Sequence, residues 1–323
     1  MVKVLANDGM HSAGVKKLEA AGVQVNTQFI AQEALPQALQ EYDALVVRSA
    51  TKVRKPLIDA CPNLRFIGRG GVGMDNIDVA YAQSKGIAVH NTPDSSSESV
   101  AELVMGHMYG MARFLYAANR EMPGADAAAF KHLKEAYGKG MELRGRTLGI
   151  IGCGRIGQAL ARLALGAGMT VLPFRRQKDP ISLSLTIAGL APISVELPIA
   201  SLDQVLAQSD FISLNLPSNE GDPAILGANE FGAMRKGVCI VNAARGGAVA
   251  ELALLEALNS GQVAHAALDV FEGEPSASPA VLGHPRISLS PHIGAATAEA
   301  QARIGTEMAG HLLQHFGLSV HAN

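Results

Sequence analysis

Short apolar, β-favouring runs alternate with helical stretches along nearly the whole chain, and this alternation constrains the fold more than any other feature. Runs at residues 2–6, 23–27, 44–48, 64–68 and 87–91 are separated by helical patterns such as 13–21. Gly22 and Gly86 punctuate the changes of element. A second series begins at Arg146, with runs at 147–151, 170–174, 211–216, 238–242, 266–270 and 287–290. Strands that are apolar on both faces need helices on both faces, which predicts parallel rather than antiparallel sheets. The expected fold is α/β, with two doubly wound parallel-sheet lobes joined by crossing helices at 99–120 and 299–316. The last helix is expected to return to the first lobe, so the predicted division is 1–95 plus 294–323 against 96–293. Residues 181–200 (ISLSLTIAGLAPISVELPIA) alternate polar and apolar, with Gly189 and Pro192 near the middle, and read as an inserted β-hairpin.

The charge balance narrows the possible partners. Among 323 residues, 27 basic and 29 acidic side chains give a formal net charge of −2. No excess of positive charge is present to attract phosphate backbones or anionic lipid, so nucleic acid is not expected as a partner. No run of about 18 apolar residues predicts a membrane span, and the N-terminus carries no secretory pattern. Cys61, Cys153 and Cys239 lie far apart, which argues against a disulfide framework or a zinc knuckle. No metal site is expected, and a reducing cytoplasm is the expected location.

Two glycine loops match GxGxxG. Gly152-Cys153-Gly154-Arg155-Ile156-Gly157 follows an apolar run and opens a helical pattern at 158–167. In that context the glycines permit a tight turn and close backbone approach, and the helix N-terminus offers free N–H groups to a pyrophosphate. Gly68-Arg69-Gly70-Gly71-Val72-Gly73 has the same spacing, but Asp75 and Asp78 come next. Carboxylates at a helix start repel a pyrophosphate. This second loop is therefore read either as a cradle for a small anion or as a structural turn. Dinucleotide folds place an acid about 20 residues after the first glycine, to hold the ribose 2′-OH of NAD. Here Arg175 and Arg176 end the next strand, so the expectation is NAD(P) with a lean to NADP(H), whose 2′-phosphate pairs with guanidinium groups.

Three polar groups follow three successive strand patterns: Arg245 in NAARGG at 242–247, Glu274 in LDVFEGEP at 268–275 and His292 in SPHIG at 290–294. Ligands of open parallel sheets bind beyond the carboxyl ends of strands. A guanidinium can hold a carboxylate and polarise an adjacent carbonyl. A histidine can deliver a proton, and a carboxylate behind it orients the ring and favours its protonated form. Each alone also fits an ordinary loop residue, and it is their coincidence that points to hydride transfer at C2 of a 2-hydroxy acid.

These residues lie in stretches that resemble the D-isomer-specific 2-hydroxyacid dehydrogenases, and most of all their 3-phosphoglycerate-oxidising members. The stretches are VRSATKV at 47–53, GVGMDNID at 71–78, NTP at 91–93, LGIIGCGRIG at 148–157, VNAARGG at 241–247, ALDVF at 267–271 and SPHIGA at 290–295. The resemblance implies a flavodoxin-like substrate lobe and a Rossmann nucleotide lobe, dimerising through the nucleotide lobes. It implies Arg245 as a substrate ligand, His292 as the acid–base and Glu274 as its partner. Arg48, Ser49, Val72 and Gly73 would meet the substrate's charged groups, with Lys139 a further candidate for a phosphate pocket. Gly152, Gly154, Arg155, Ile156, Gly157, Arg175, Arg176, Leu216, Ala243 and Ala244 would line the cofactor site. Asp269 would accept from the nicotinamide carboxamide.

The chain also departs from the family pattern. Arg175 replaces the usual Asp, Ala250 stands where Asp often caps a helix, Ser96 and Glu98 are atypical, and the 181–200 hairpin is long. With the chain ending at Asn323, the regulatory C-terminal domain of long members is expected to be absent, and with it a serine feedback site. The leading expectation is oxidation of 3-phosphoglycerate to 3-phosphohydroxypyruvate, in serine biosynthesis. The alternatives are an NADPH-dependent glyoxylate or hydroxypyruvate reductase, and a non-catalytic corepressor that senses dinucleotide.

Overall fold

The computed structural model describes residues 1–217 and 222–320. The chain divides into two compact units, Met1–Ser97 with the segment from Ala295 onward, and Glu98–Gly294. The last residues of the predicted 294–323 segment, 321–323, lie outside the described part.

The first unit is a five-stranded parallel sheet of β1 (Lys3–Ala6), β2 (Gln24–Asn26), β3 (Ala44–Val47), β4 (Phe66–Arg69) and β5 (Ala88–Asn91), in the order β2-β1-β3-β4-β5. That is the flavodoxin-like order. Leu5, Leu45, Val47 and Ile67 pack into one apolar cluster, and Val4, Ala6, Ala44, Val46 and Phe66 into another. Alternate residues of each strand thus enter opposite layers, as the two-sided apolar pattern requires. The final helix, Ala298–Phe316, supplies Met308, Leu312 and Leu313 to the second cluster. It approaches the helix Ser12–Glu19 so closely that a Cβ on Gly14 would stand 2.4 Å from the Gly305 carbonyl oxygen.

In the second unit, β6 (Thr147–Ile151), β7 (Thr170–Phe174), β10 (Phe211–Leu214), β11 (Val238–Asn242), β12 (Val263–Leu268) and β13 (Ile287–Leu289) form a parallel sheet in the order β13-β12-β11-β10-β6-β7. The order reverses between β6 and β10, and in such sheets ligands bind at that point. Strands β8 (Ile181–Leu185) and β9 (Ile193–Leu197) pair antiparallel, as expected for the insertion.

The expected helix at 99–120 is not continuous. It runs Ser97–Ala112, breaks at Phe114, and resumes as Leu115–Glu121. Phe114 takes the left-handed conformation (φ 56°) and its ring packs against Tyr137 and His265. An aromatic contact ends the helix where apolar periodicity alone predicted continuation. Among the described residues no helix is long and apolar enough to cross a membrane.

Candidate active site

The second unit brings Arg245, Glu274 and His292 to neighbouring strand ends. Arg245 follows β11. Asn242 fixes that turn by donating from Nδ2 to the Arg245 carbonyl (2.8 Å) and accepting from the Ala244 N–H at Oδ1 (3.1 Å). Gly246 is required next to it, because a Cβ there would lie 1.9 Å from the Phe271 carbonyl oxygen. That approach brings the Arg245 turn against the loop bearing Glu274.

His292 Nδ1 is 2.8 Å from Glu274 Oε2, and the Phe271 N–H donates to Glu274 Oε1 (2.8 Å). A carboxylate only accepts, so Nδ1 carries the proton, and among the described residues Nε2 has no hydrogen-bond partner. Burial acts upward on the Glu274 carboxyl. The His292 hydrogen bond, the Phe271 amide and the charges of His292 and Arg245 outweigh it and hold the group below its ordinary value. The pair is therefore a carboxylate anion hydrogen-bonded to an imidazole.

His292 sits at φ 56°, a left-handed conformation uncommon for a residue other than glycine. Buried Asp269 holds that turn: Oδ1 accepts from Ser290 Oγ (2.7 Å) and the Ile293 N–H (2.9 Å), and Oδ2 from the Gly294 N–H (2.9 Å). Three acceptances leave one lone-pair site, on Oδ2. This clamp was not legible in the sequence, which offered Asp269 only as a cofactor ligand.

The glycine loop after β6 fits a dinucleotide. Gly152 (φ 96°) would place a Cβ 2.6 Å from Leu216 Cγ, so Leu216, just past β10, lies directly on the loop. A Cβ on Gly157 would stand 2.7 Å from the Gly152 carbonyl oxygen, whereas among the described residues nothing lies within 4 Å of one on Gly154. That open space faces the start of the helix Arg155–Gly166, which no side chain caps. Among the described residues the Ile156 and Gly157 N–H groups have no internal partner, so both remain for an anion. Buried Asn215 Oδ1, beside Leu216 at the sheet's switch point, also lacks a partner among the described residues. Sequence reasoning missed Asn215, which stands among apolar neighbours in LNLP. Arg175 is half-buried and bonds the Asp179 carbonyl through Nη2 (2.7 Å), with Nε unsatisfied, while Arg176 is exposed. Ala243 and Ala244 follow β11, and Arg155 is exposed at the helix start.

Arg48, in the first unit, follows β3 on a loop pinned from both sides. Asp8 Oδ2 accepts from the Arg48 N–H (2.6 Å) and the Thr51 N–H (3.1 Å), while Asn76 Nδ2 donates to the Arg48 carbonyl (2.9 Å). The backbone is fixed, yet among the described residues the guanidinium has no hydrogen bond or ion pair. With Asp8, His11, Gly70, Gln301 and Ile304 it lines a cavity of about 270 Å³ at the β1/β3 switch point. Ser49 is exposed nearby in sequence.

In the second glycine loop, Gly70 N–H bonds the Val47 carbonyl and Gly71 N–H bonds Thr92 Oγ1 (both 2.8 Å). The Val72 and Gly73 amides have no internal partner among the described residues. Asp78 does not cap the following helix by its side chain; it receives Arg54 Nη1 and the Lys55 N–H, each at 2.9 Å. Ala250 caps nothing either, and Glu272 Oε1 accepts from the Glu251 N–H instead (3.2 Å). Lys139 is exposed. Among the described residues no cluster of three or more His, Cys, Asp or Glu could hold a metal.

Residues 105–294 match the model of the NAD binding domain of D-isomer specific 2-hydroxyacid dehydrogenases. Hydroxypyruvate reductase of Thermotoga maritima is 41% identical over 301 residues, covering 92% of this chain and 92% of that protein. D-3-phosphoglycerate dehydrogenase of Methanocaldococcus jannaschii is 42% identical over 311 residues, 96% of this chain but 56% of that protein. The chain thus spans little more than half the length of that relative. The NADPH-dependent glyoxylate/hydroxypyruvate reductase of Sinorhizobium meliloti, solved with NADP and malonate, superposes with a TM-score of 0.78 at 26% identity, covering 98% of this chain and 93% of that one. With a matched glycine loop, a His–Glu pair beyond the strand ends and relatives 41–42% identical over nine-tenths of its length, the chain belongs to the D-isomer-specific 2-hydroxyacid dehydrogenases, NAD(P)-dependent oxidoreductases of small hydroxy acids.

Proposed function

We propose that this enzyme interconverts 3-phosphoglycerate and 3-phosphohydroxypyruvate, with Arg245, Glu274 and His292 as its catalytic residues. Arg245 holds the substrate carboxylate and polarises the C2 oxygen. In the oxidative direction His292 Nε2 takes the proton of the C2 hydroxyl, and in the reductive direction it returns that proton to the alkoxide. Glu274 stabilises the imidazolium that forms between these events. The nicotinamide, when bound, accepts or supplies the hydride at C2. The Ile156 and Gly157 amides receive the pyrophosphate, with Leu216, Ala243 and Ala244 lining the groove and the open site of Asp269 Oδ2 taking the carboxamide.

The observation that carries the phosphorylated substrate is the Arg48 guanidinium, fixed at its backbone and without a partner of its own among the described residues. The Val72 and Gly73 amides supply donors for the carboxylate. Arg175 favours a second reading, a glyoxylate or hydroxypyruvate reductase that prefers NADPH. Its half-buried guanidinium stands at the strand end where an acid would select NAD. We further propose a homodimer, supported by exposed Tyr109, Leu115, Met122 and Phe130 along the helices between Ser97 and Ala136. Three buried free thiols suit a reducing compartment such as the cytoplasm.

Steady-state reduction of 3-phosphohydroxypyruvate, hydroxypyruvate and glyoxylate, each with NADH and NADPH, separates these readings. The first predicts the highest kcat/KM with the phosphorylated acid. Arg48→Ala is then expected to raise its KM by roughly tenfold or more, as for a lost charge-assisted contact. Equal or better turnover of glyoxylate, with KM unmoved in Arg48→Ala, would establish the reductase instead.

A further inference from the structure

Behind the His292 turn, leading to Asp269, lies a buried polar chain whose His107, Ser288 and Ser290 the mechanism does not use. His107 stands on the helix Ser97–Ala112 and is 9% exposed, in a stretch whose Val104, Met108 and Met111 are buried. Its Nδ1 is 3.0 Å from Ser288 Oγ and its Nε2 is 2.9 Å from Ser290 Oγ. Ser290 Oγ is in turn 2.7 Å from Asp269 Oδ1.

Donor and acceptor counting fixes the direction of this chain. The Asp269 carboxylate only accepts, so the single Ser290 hydroxyl proton points at it. Ser290 Oγ can then only accept from His107, which places a proton on Nε2. Burial pushes the His107 imidazole down from its ordinary value, against the opposing pull of Asp269, and so favours the neutral ring. Nδ1 of the neutral ring is an acceptor, and Ser288 donates to it. Every bond in the series therefore runs towards Asp269, the carboxylate that holds the Ile293 and Gly294 amides and so fixes His292 in its left-handed conformation. Ser99, on the same helix as His107, bonds the Gly294 carbonyl (2.7 Å) and closes the other side of the turn.

We infer that His107 is a positioning residue for the reaction: as an Nε2–H donor it locks Ser290 onto Asp269 and thereby holds the acid–base His292 in place. A histidine among apolar side chains costs stability unless its nitrogens are satisfied. Leucine would fill the same space without a polar atom to satisfy. What histidine adds here is the one donor Ser290 can accept. The inference rests on the reading of His292 as the acid–base.

His107→Leu keeps the bulk and removes the donor. His107→Gln restores a donor nitrogen near the Nε2 position. His107→Leu is expected to lower kcat by roughly ten- to hundredfold, the scale of a slightly misplaced catalytic group, with KM for the dinucleotide unchanged. His107→Gln is expected to recover most of that loss. Should His107→Leu fail to fold, Ser290→Ala breaks the next link. It is expected to lower kcat on the same scale, and adding His107→Gln to it should cost nothing more. Full kcat in His107→Leu or in Ser290→Ala, or equal losses in His107→Leu and His107→Gln, would overturn the inference. His292→Asn is run beside them. If it stays active, the acid–base reading itself has failed; if it is inactive while His107→Leu turns over normally, only the positioning role has failed.

Discussion

The loops carrying Arg48 and His292 are built on one plan, and they differ where the chemistry proposed for them differs. In each, an aspartate just past a parallel strand reaches across to a neighbouring strand's loop and accepts three hydrogen bonds from it. Asp8, past β1, takes the Arg48 and Thr51 amides and the Thr51 hydroxyl (2.5 Å); Asp269, past β12, takes Ser290, Ile293 and Gly294. Asp8 is only partly buried and leaves a long guanidinium arm without a partner among the described residues. Asp269 is 2% exposed, is backed by a second buried layer, and imposes a left-handed conformation on the side chain it presents. Binding an anion tolerates an arm that searches. Proton transfer requires the ring nitrogen within hydrogen-bond reach of one atom, which a buried clamp provides.

Removing the two carboxylates tests this contrast. Asp269→Ala strands three donors, two of them on the buried residues Ser290 and Gly294, at about 1.5–3 kcal/mol for each bond to a charged group. It is expected to cost about 4 kcal/mol or more in denaturant unfolding and at least about a hundredfold in kcat. A loss below about 1 kcal/mol would mean that the clamp does not hold the turn. Asp8→Ala is expected to cost about 2 kcal/mol and to raise KM for the acid substrate roughly fivefold, with kcat nearly intact. A kcat collapse there would erase the distinction between the loops.

The smallest effect concerns the exposed side of the His292 turn. Because the folded Glu274 carboxyl lies below its ordinary value, its ionised form stabilises the fold above the unfolded value of about 4.3, and this is lost as pH falls through the folded value. The stability gap between wild type and Glu274→Gln should therefore be present above about pH 5 and shrink below about pH 4. A gap that stays constant across this range would show that Glu274 is not an ionised partner of His292.

Periodicity and punctuation made most of the architecture legible. Strands apolar on both faces left parallel sheets as the consistent answer, and the alternating hairpin at 181–200 stood out because its period changed. The break at Phe114 was hidden, since it comes from a contact between aromatic rings rather than from a local breaker. The two GxGxxG strings could be told apart by the carboxylates, Asp75 and Asp78, that come after only one of them. In the structure the difference is a helix N-terminus with open amides after Gly154, against a loop whose Gly70 and Gly71 amides are consumed by Val47 and Thr92. The placement of Arg245, Glu274 and His292 past successive strand ends was legible from position. Asp8, Asn76 and His107 were not, because the contacts that give them work cross 25 to 183 residues of chain, from Asn76–Thr51 to His107–Ser290.

His292→Asn isolates the proposed acid–base role, because asparagine tolerates the left-handed conformation while lacking a titratable nitrogen. Turnover of the best 2-keto acid and NAD(P)H affinity are measured on the same preparation. A kcat lower by roughly two to four orders of magnitude, with dinucleotide affinity unchanged, is expected. Turnover within a few-fold of wild type would contradict it and move the acid–base elsewhere.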